Sequence, residues 1–412
     1  SEVSNDYCAD GFEVKANDNG TYGVVNAATA VAKIGDASYE TLQAAIDAAA
    51  AGETVTLLAD ITLEGQQLVI GAGKSFTLDL NGKTLKVSKY TTKAAQVDVL
   101  GDLTLTDSSE NKTGIICSDY TGTAGLVVCV ESGGKLTMNG GTITTDGMAN
   151  AGNALKIASG ATVTMNGGTI KCDAKRGNRA VNITGSKNAG ASFIMNGGNV
   201  VADGGDGTET VIYAIMGAYY STLVISGSSR VSGPNAVDAA NSATTISGGT
   251  FTGNIKVKAG SISGGTYDKA IDAKYCKDGF ILTRNEDGSY GVKAGAYVAQ
   301  IGDVKYETLA AAIAAAKTGE TVTLLANVDE NVEIAKEKNL TLDLNGCTLN
   351  GGTGTDKAAL SNLGTITIRD TSADKAGTIK RDDNGTVGET SYYVIRNQGT
   401  MTIESGNVIN NS

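Results

Sequence analysis

The chain of 412 residues contains no histidine and no tryptophan, a single proline and only five phenylalanines. Histidine is the side chain whose ordinary ionisation falls in the physiological range, so its absence removes the commonest proton shuttle from any catalytic scheme. No cluster of lysine or arginine interrupts the sequence, and the formal charge is -11. Such a surface repels phosphate backbones and anionic membranes, which excludes nucleic acid as a partner. The six cysteines show no C-x-x-C spacing, and Cys347 stands where Lys83 stands in a sister repeat, an exchange that a structural zinc site does not tolerate. Cys8 and Cys276 are repeat equivalents with no evident partner at a matching place, so free, partly buried thiols that pack as small hydrophobes are expected. No run is long and apolar enough to span a bilayer, and no signal peptide or sorting motif is visible.

What is abundant is glycine, 55 residues of it, together with Thr, Asn, Val and Ile. That is the profile of many short strands joined by tight turns. The chain also repeats itself on two scales. YCADGFEVKANDNGTYGV from Tyr7 returns as YCKDGFILTRNEDGSYGV from Tyr275, and VAKIGDASYETLQAAIDAAAAGETVTLLAD from Val31 returns as VAQIGDVKYETLAAAIAAAKTGETVTLLAN from Val298. Inside this long period runs a shorter one: LTMNGGTI from Leu136, VTMNGGTI from Val163, FIMNGGNV from Phe193, TTISGGTF from Thr244 and GSISGGTY from Gly260. The repeats divide the chain into residues 1–25, the closing cap of a preceding module; 26–293, a complete module; and 294–412, the start of a second. Read this way, the chain is a window on a longer array.

One clear helix is predicted, from about Tyr39 to Ala51, with Leu42, Ala45, Ile46 and Ala49 on one face and Gly52 at its end; its copy uses Leu309, Ala312, Ile313 and Ala316 and stops at Gly319. It is expected to act as a lid on a run of coils and to protect a sheet edge. The Asn19-Gly20 and Asp287-Gly288 dipeptides are expected as hairpin turns. Successive NG turns lie about 27 to 33 residues apart and then close up to about 21 and 16, the spacing of a narrowing three-strand coil. Alternation in Leu136-Thr137-Met138 and Val163-Thr164-Met165 puts one face inside and one in water. Two internal stacks are expected: Leu78, Leu136, Val163, Phe193 and Leu223, and Leu80, Met138, Met165, Met195 and Ile225. The fold class is therefore all-β: a parallel β-helix with three strands per coil in tandem modules, each with an N-terminal capping helix and a C-terminal β-hairpin cap.

The NGG-turn coils, the helix preceded by IGD-x3-ETL, and the TVTLLAD and TLDLNGKTL strands resemble the pectate-lyase-like right-handed parallel β-helix repeats of large surface proteins of Gram-positive anaerobes. The likeness extends over nearly the whole chain. It implies an extracellular, cell-surface location and an adhesin-like role, with glycans, host surface proteins or neighbouring modules as partners. Since β-helices host enzymes and passive adhesins alike, activity has to be argued from residues.

Four groups of residues are candidates. Asn81, Asn139, Asn166 and Asn196 in the NG turns are expected to form a structural ladder, since asparagine accepts the left-handed backbone and its amides can bond from coil to coil. Asp203, Asp206 and Glu209 in ADGGDGTE have the content of a Ca²⁺-binding turn, although one copy lacks regular ligand spacing; with Arg176 and Arg179 they are also an example of a carboxylate cluster that a polysaccharide lyase or hydrolase could use. Tyr213, Tyr219, Tyr220, Tyr392 and Tyr393 offer aromatic surface for a carbohydrate. The outward column Asp79, Thr104, Thr137, Thr164, Ile194, Val224, Thr245 and Ser261 lacks paired carboxylates and is too interrupted to order ice. No cofactor is called for beyond that Ca²⁺. The leading expectation is a non-catalytic stalk or display scaffold; the alternative is a polysaccharide-binding or polysaccharide-degrading protein.

Overall fold

A computed structural model describes residues 8–9, 12–16, 21–26, 30–88, 95–120, 125–146, 148, 152–172, 179–203, 212–351, 357–381 and 393–411. The chain is mostly strand, with long parallel sheets, and divides into two compact units: Ser1–Asp278 with Leu282–Lys293, and Gly279–Ile281 with Ala294–Ser412.

In the first unit the strands Phe12–Ala16 and Tyr22–Asn26 form an antiparallel pair, and a second, shorter hairpin joins Ala32–Ile34 to Ala37–Tyr39. The strand Ala32–Ile34 also pairs antiparallel with Thr54–Leu57. That pairing occupies the open edge of the sheet that follows, which an unpaired row of N–H and C=O groups would otherwise offer to other strands. Helix α1, Leu42–Ala48, lies between these strands and buries Leu42, Ala45 and Ile46 against them. It is shorter than the sequence predicts because Thr41 caps it, its hydroxyl accepting from the Ala44 N–H at 3.2 Å, while at the other end the Lys74 ammonium donates to the carbonyl of Asp47 at 2.6 Å. Gly52, at φ +83°, lies beyond the last turn and donates to the Ser75 carbonyl.

From Thr54 the strands pair in parallel along three ladders, visited in turn. The first runs from Thr54–Leu57 through Ser75–Asp79, Asp102–Thr106, Lys135–Met138, Thr162–Met165, Ala191–Met195 and Ser221–Ile225 to Ala243–Ile246. The second starts at Ile61–Glu64 and Thr84–Ser88, the third at Leu68–Ile70 and Val97–Val99. The two merge into one 17-stranded sheet because Arg230–Asp238 and Thr250–Lys256 run through both, with register shifts after Ser232 where Gly233 and the single proline, Pro234, turn the strand. Beyond Ile246 the first ladder continues only as isolated bridges to Ile262 and Cys276, and the stacked rings of Phe251 and Tyr267, 5.0 Å apart, fill the contracting interior. Thr266–Tyr267 then pairs antiparallel with Tyr290 and Gly291, which ends the parallel run. The turn at Asp287-Gly288 lies between the strands Phe280–Arg284 and Tyr290–Ala294.

Two buried columns line the first ladder. One holds Phe76, Leu103, Leu136, Val163, Phe193 and Leu223; the other holds Leu78, Leu105, Met138, Met165, Met195, Ile225 and Ile246. Each such side chain contributes about 1.5–3 kcal/mol of transfer free energy. From Leu136 and Met138 onward both expected stacks are in register, but Leu78 belongs two residues further along, beside Leu105 and Met138 rather than Leu136. Leu80 is not in either column: it is buried in the corner where Leu80-Asn81-Gly82-Lys83 makes a tight turn, the Lys83 N–H donating to the Leu80 carbonyl at 2.7 Å. For the same reason the outward column carries Thr77, not Asp79, next to Thr104.

The second unit repeats the plan in three sheets of six, four and three strands. Helix α2, Leu309–Ala315, buries Leu309, Ala312 and Ile313. Thr308 caps its start, where the Glu330 carboxylate also accepts from the N–H groups of Leu309 and Ala310, and Lys338 donates to the carbonyls of Ala314 and Ala316 at its end. Among the described residues no helix is long and apolar enough to cross a membrane.

Candidate functional site

The asparagine turns divide into two kinds. The Asn166 amide donates to Asn139 Oδ1 at 2.9 Å, the Asn196 amide to Asn166 Oδ1 at 3.0 Å, and the Ser226 hydroxyl extends the run to Asn196 at 3.2 Å. Asn81 stands outside it. Its φ of +45° makes the left-handed turn described above, and its amide donates to the Leu57 carbonyl; Asn345 does the same toward Leu324 in the second unit.

Beside these turns lie buried carboxylates that sequence patterns do not single out. Asp107 Oδ1 accepts from the N–H of Gly82 and from both the N–H and hydroxyl of Ser109, and Oδ2 accepts from the Gly114 N–H at 2.6 Å. Asp79 Oδ1 accepts from the N–H groups of Asn81 and Ser108. Burial works against the Asp107 charge, but the Ser109 hydroxyl and the N–H groups of Gly114, Gly82 and Ser109 outweigh it and hold the carboxyl below its ordinary ionisation range. Asp370 repeats the arrangement with Ser372, Gly377 and Gly346, and is lowered for the same reasons. Glycine is required at 114: a Cβ there would come within 2.5 Å of Leu80 Cβ and 2.8 Å of Asp107 Oδ2.

Of the carboxylate cluster, Arg176, Asp206 and Glu209 lie outside the described residues. Asp203 is exposed just past the strand Asn199–Ala202, and Arg179 begins the third-ladder strand Arg179–Ile183, where its Nε donates to the Met216 sulfur. No ion pair joins the two. A different trio comes together on the outer face of the third ladder: ligand atoms of Asp98, Cys129 and Glu131 all lie within 4.8 Å of one another. Asp98 and Cys129 are register partners on adjacent coils, a neighbourhood that no linear spacing reveals. Burial, and then the Glu131 charge, raise the Asp98 carboxyl, and burial pushes the Cys129 thiol up strongly, so the thiol is held protonated. No disulfide links the six cysteines.

The tyrosines also separate. Tyr392 lies outside the described residues; Tyr393 is 45% exposed; and Tyr213, half-buried, sits on the third ladder between Arg179 and Asn235. Tyr219 and Tyr220 are 64% and 56% exposed, on the turn between Tyr213–Gly217 and Ser221–Ile225, with ring centroids 6.4 Å apart and planes tilted by 48°. Tyr220 has φ +59°, a conformation that costs a side-chain-bearing residue about 1 kcal/mol or more. The turn is fixed from below: the buried hydroxyls of Ser221 and Ser242 bond to each other and to the Ala218 carbonyl, and Gly185 leaves room for the Tyr220 carbonyl, which a Cβ would meet at 2.2 Å. The two rings border a cleft of about 480 Å³ that is also lined by Ser186, Lys187, Asn241 and Lys258.

No protein family, curated protein or solved structure matches this chain.

Proposed function

We propose that this chain is a stretch of tandem right-handed parallel β-helices and serves as a non-catalytic structural or adhesive scaffold of a secreted cell-surface protein. The observation that carries the reading is the in-register parallel stacking of the three ladders in each unit, begun in both by the same Thr-capped, lysine-anchored helix. Stacking of this kind adds about 4.8 Å of length per coil whatever the outer side chains are, so it favours reach and display over a single enclosed site. Right-handedness follows from the strong preference of parallel crossovers for that hand. The net charge of -11 suits a scaffold that must stay apart from its copies. Incubation of the 412-residue chain with acidic and neutral polysaccharides tests the scaffold: no turnover is expected, and release of new reducing or unsaturated sugar ends would sink it. Protease shaving of intact cells that carry the parent protein is expected to release its peptides, which checks the location.

A second reading, glycan recognition without turnover, is favoured by one observation only. The Tyr219–Tyr220 turn presents two exposed rings on a backbone held rigid by the Ser221–Ser242 pair and Gly185. Rigid, amphipathic rings lose little entropy when a sugar face stacks on them.

A further inference from the structure

The geometry points to an anionic saccharide, one carrying a carboxylate or sulfate on a pyranose ring, as the ligand of the Tyr219–Tyr220 cleft. This deepens the glycan reading above and rests on it. The argument is the charge of the lining. In a chain of net charge -11 this cleft is bordered by two lysines, Lys187 and Lys258, and by no aspartate or glutamate. Both lysines are exposed, and neither is ion-paired among the described residues, so their charges face the cleft uncompensated. A positive pocket on an acidic surface concentrates anions and turns away cations.

The remaining lining fits a sugar better than a bare ion. Tyr219 and Tyr220 supply apolar faces for the C–H side of a ring, while the Asn241 amide and the Ser186 hydroxyl offer a donor and acceptors for ring hydroxyls. The volume, about 480 Å³, lies in the range of small-ligand sites and suits a short oligosaccharide. The parts come from four separate coils of the chain, and the first two are anchored. Ser186 and Lys187 sit in the Ser186–Ala189 bridge, the tyrosines on their serine-bound turn, and Asn241 and Lys258 on the next two coils. A preformed backbone of this kind lowers the ordering cost of binding, which then falls mainly on the two exposed lysine side chains.

The test is isothermal titration of the whole chain with trigalacturonate, with its carboxyl-reduced neutral counterpart, and with inorganic sulfate. The expected result is binding of trigalacturonate that weakens as salt rises, with the neutral sugar at least about 5-fold weaker and sulfate not saturating. The double variant K187Q/K258Q should lose roughly 5-fold in affinity for trigalacturonate and nothing for the neutral sugar. Y219A should lose about 10-fold for both sugars while Y219F keeps most of the affinity, all at an unchanged melting temperature. Equal binding of the charged and neutral sugars, or indifference to K187Q/K258Q, overturns the anionic preference while leaving glycan recognition standing. Absence of binding to either sugar overturns both, and sulfate binding as tight as trigalacturonate reduces the cleft to a simple anion trap, which also overturns the proposal.

Discussion

Asp107 and Asp370 show how much a single residue can organise. Each carboxylate is buried yet gathers N–H donors from two coils, so its charge is matched by backbone groups that would otherwise be unsatisfied in the corner. Removing it leaves those donors without partners, and Asp107→Ala is expected to lower stability by about 2–4 kcal/mol, measured by urea unfolding. Because the folded-state ionisation of both groups is depressed, their contribution is fully present above the ordinary aspartate range and is lost as pH falls through the folded value. The melting temperature should therefore drop steeply in acid, below about pH 4, and more shallowly in the double variant D107N/D370N. Gly185 belongs to the same scale. Gly185→Ala should dislodge the Tyr219–Tyr220 turn and weaken trigalacturonate binding with little change in melting temperature, since the turn is at the surface. None of these three stands out in the sequence: an aspartate in TDSS or RDTS looks like ordinary turn chemistry until the neighbouring coil is in place to donate to it.

At the level of the element, the two helices are built alike and should fail alike. Each relies on a threonine hydroxyl at the first turn and a lysine ammonium at the last carbonyls, so Thr308→Ala and Lys338→Met are each expected to cost about 1 kcal/mol, read from the denaturant midpoint. The sequence made these helices legible through Leu42, Ala45, Ile46 and their copies, because a 3.6-residue apolar period survives without knowledge of the partner. Register was legible only in part. From Leu136 onward the NGG turns share one length, and aligning them aligns the strands; in DLNGK the turn is longer, Leu80 folds into the corner, and the same alignment slips Leu78 by two residues. The small hairpin Ala32–Ile34 with Ala37–Tyr39 was missed for a different reason, since strands of three residues carry no periodic signal. In the candidate cleft, Tyr219 and Tyr220 stood out as an adjacent pair, but Lys187 and Lys258 did not, because only the stacking of coils brings them to one place.

At the scale of the whole molecule, each coil of a unit leans mainly on the coil before and the coil after it, so stability is set by nearest-neighbour surfaces rather than by one central core. Amide hydrogen exchange is expected to be slowest in Lys135–Met138, Thr162–Met165 and Ala191–Met195, which have buried neighbours on both sides, and faster by at least tenfold in the closing strand Thr266–Tyr267. The amide run from Asn139 to Ser226 adds a direction to this picture. Every donor in it belongs to the later coil and every acceptor to the earlier one, at separations of 27, 30 and 30 residues. A duplicated copy of one full turn, inserted between Asn139 and Asn166, would arrive with a donor for the coil below and an acceptor for the coil above, and with a methionine ready to take its place between Met138 and Met165. A gene can thus lengthen this protein by whole-turn duplication without redesigning either neighbour, and its descendants are free to differ in reach while sharing every joint.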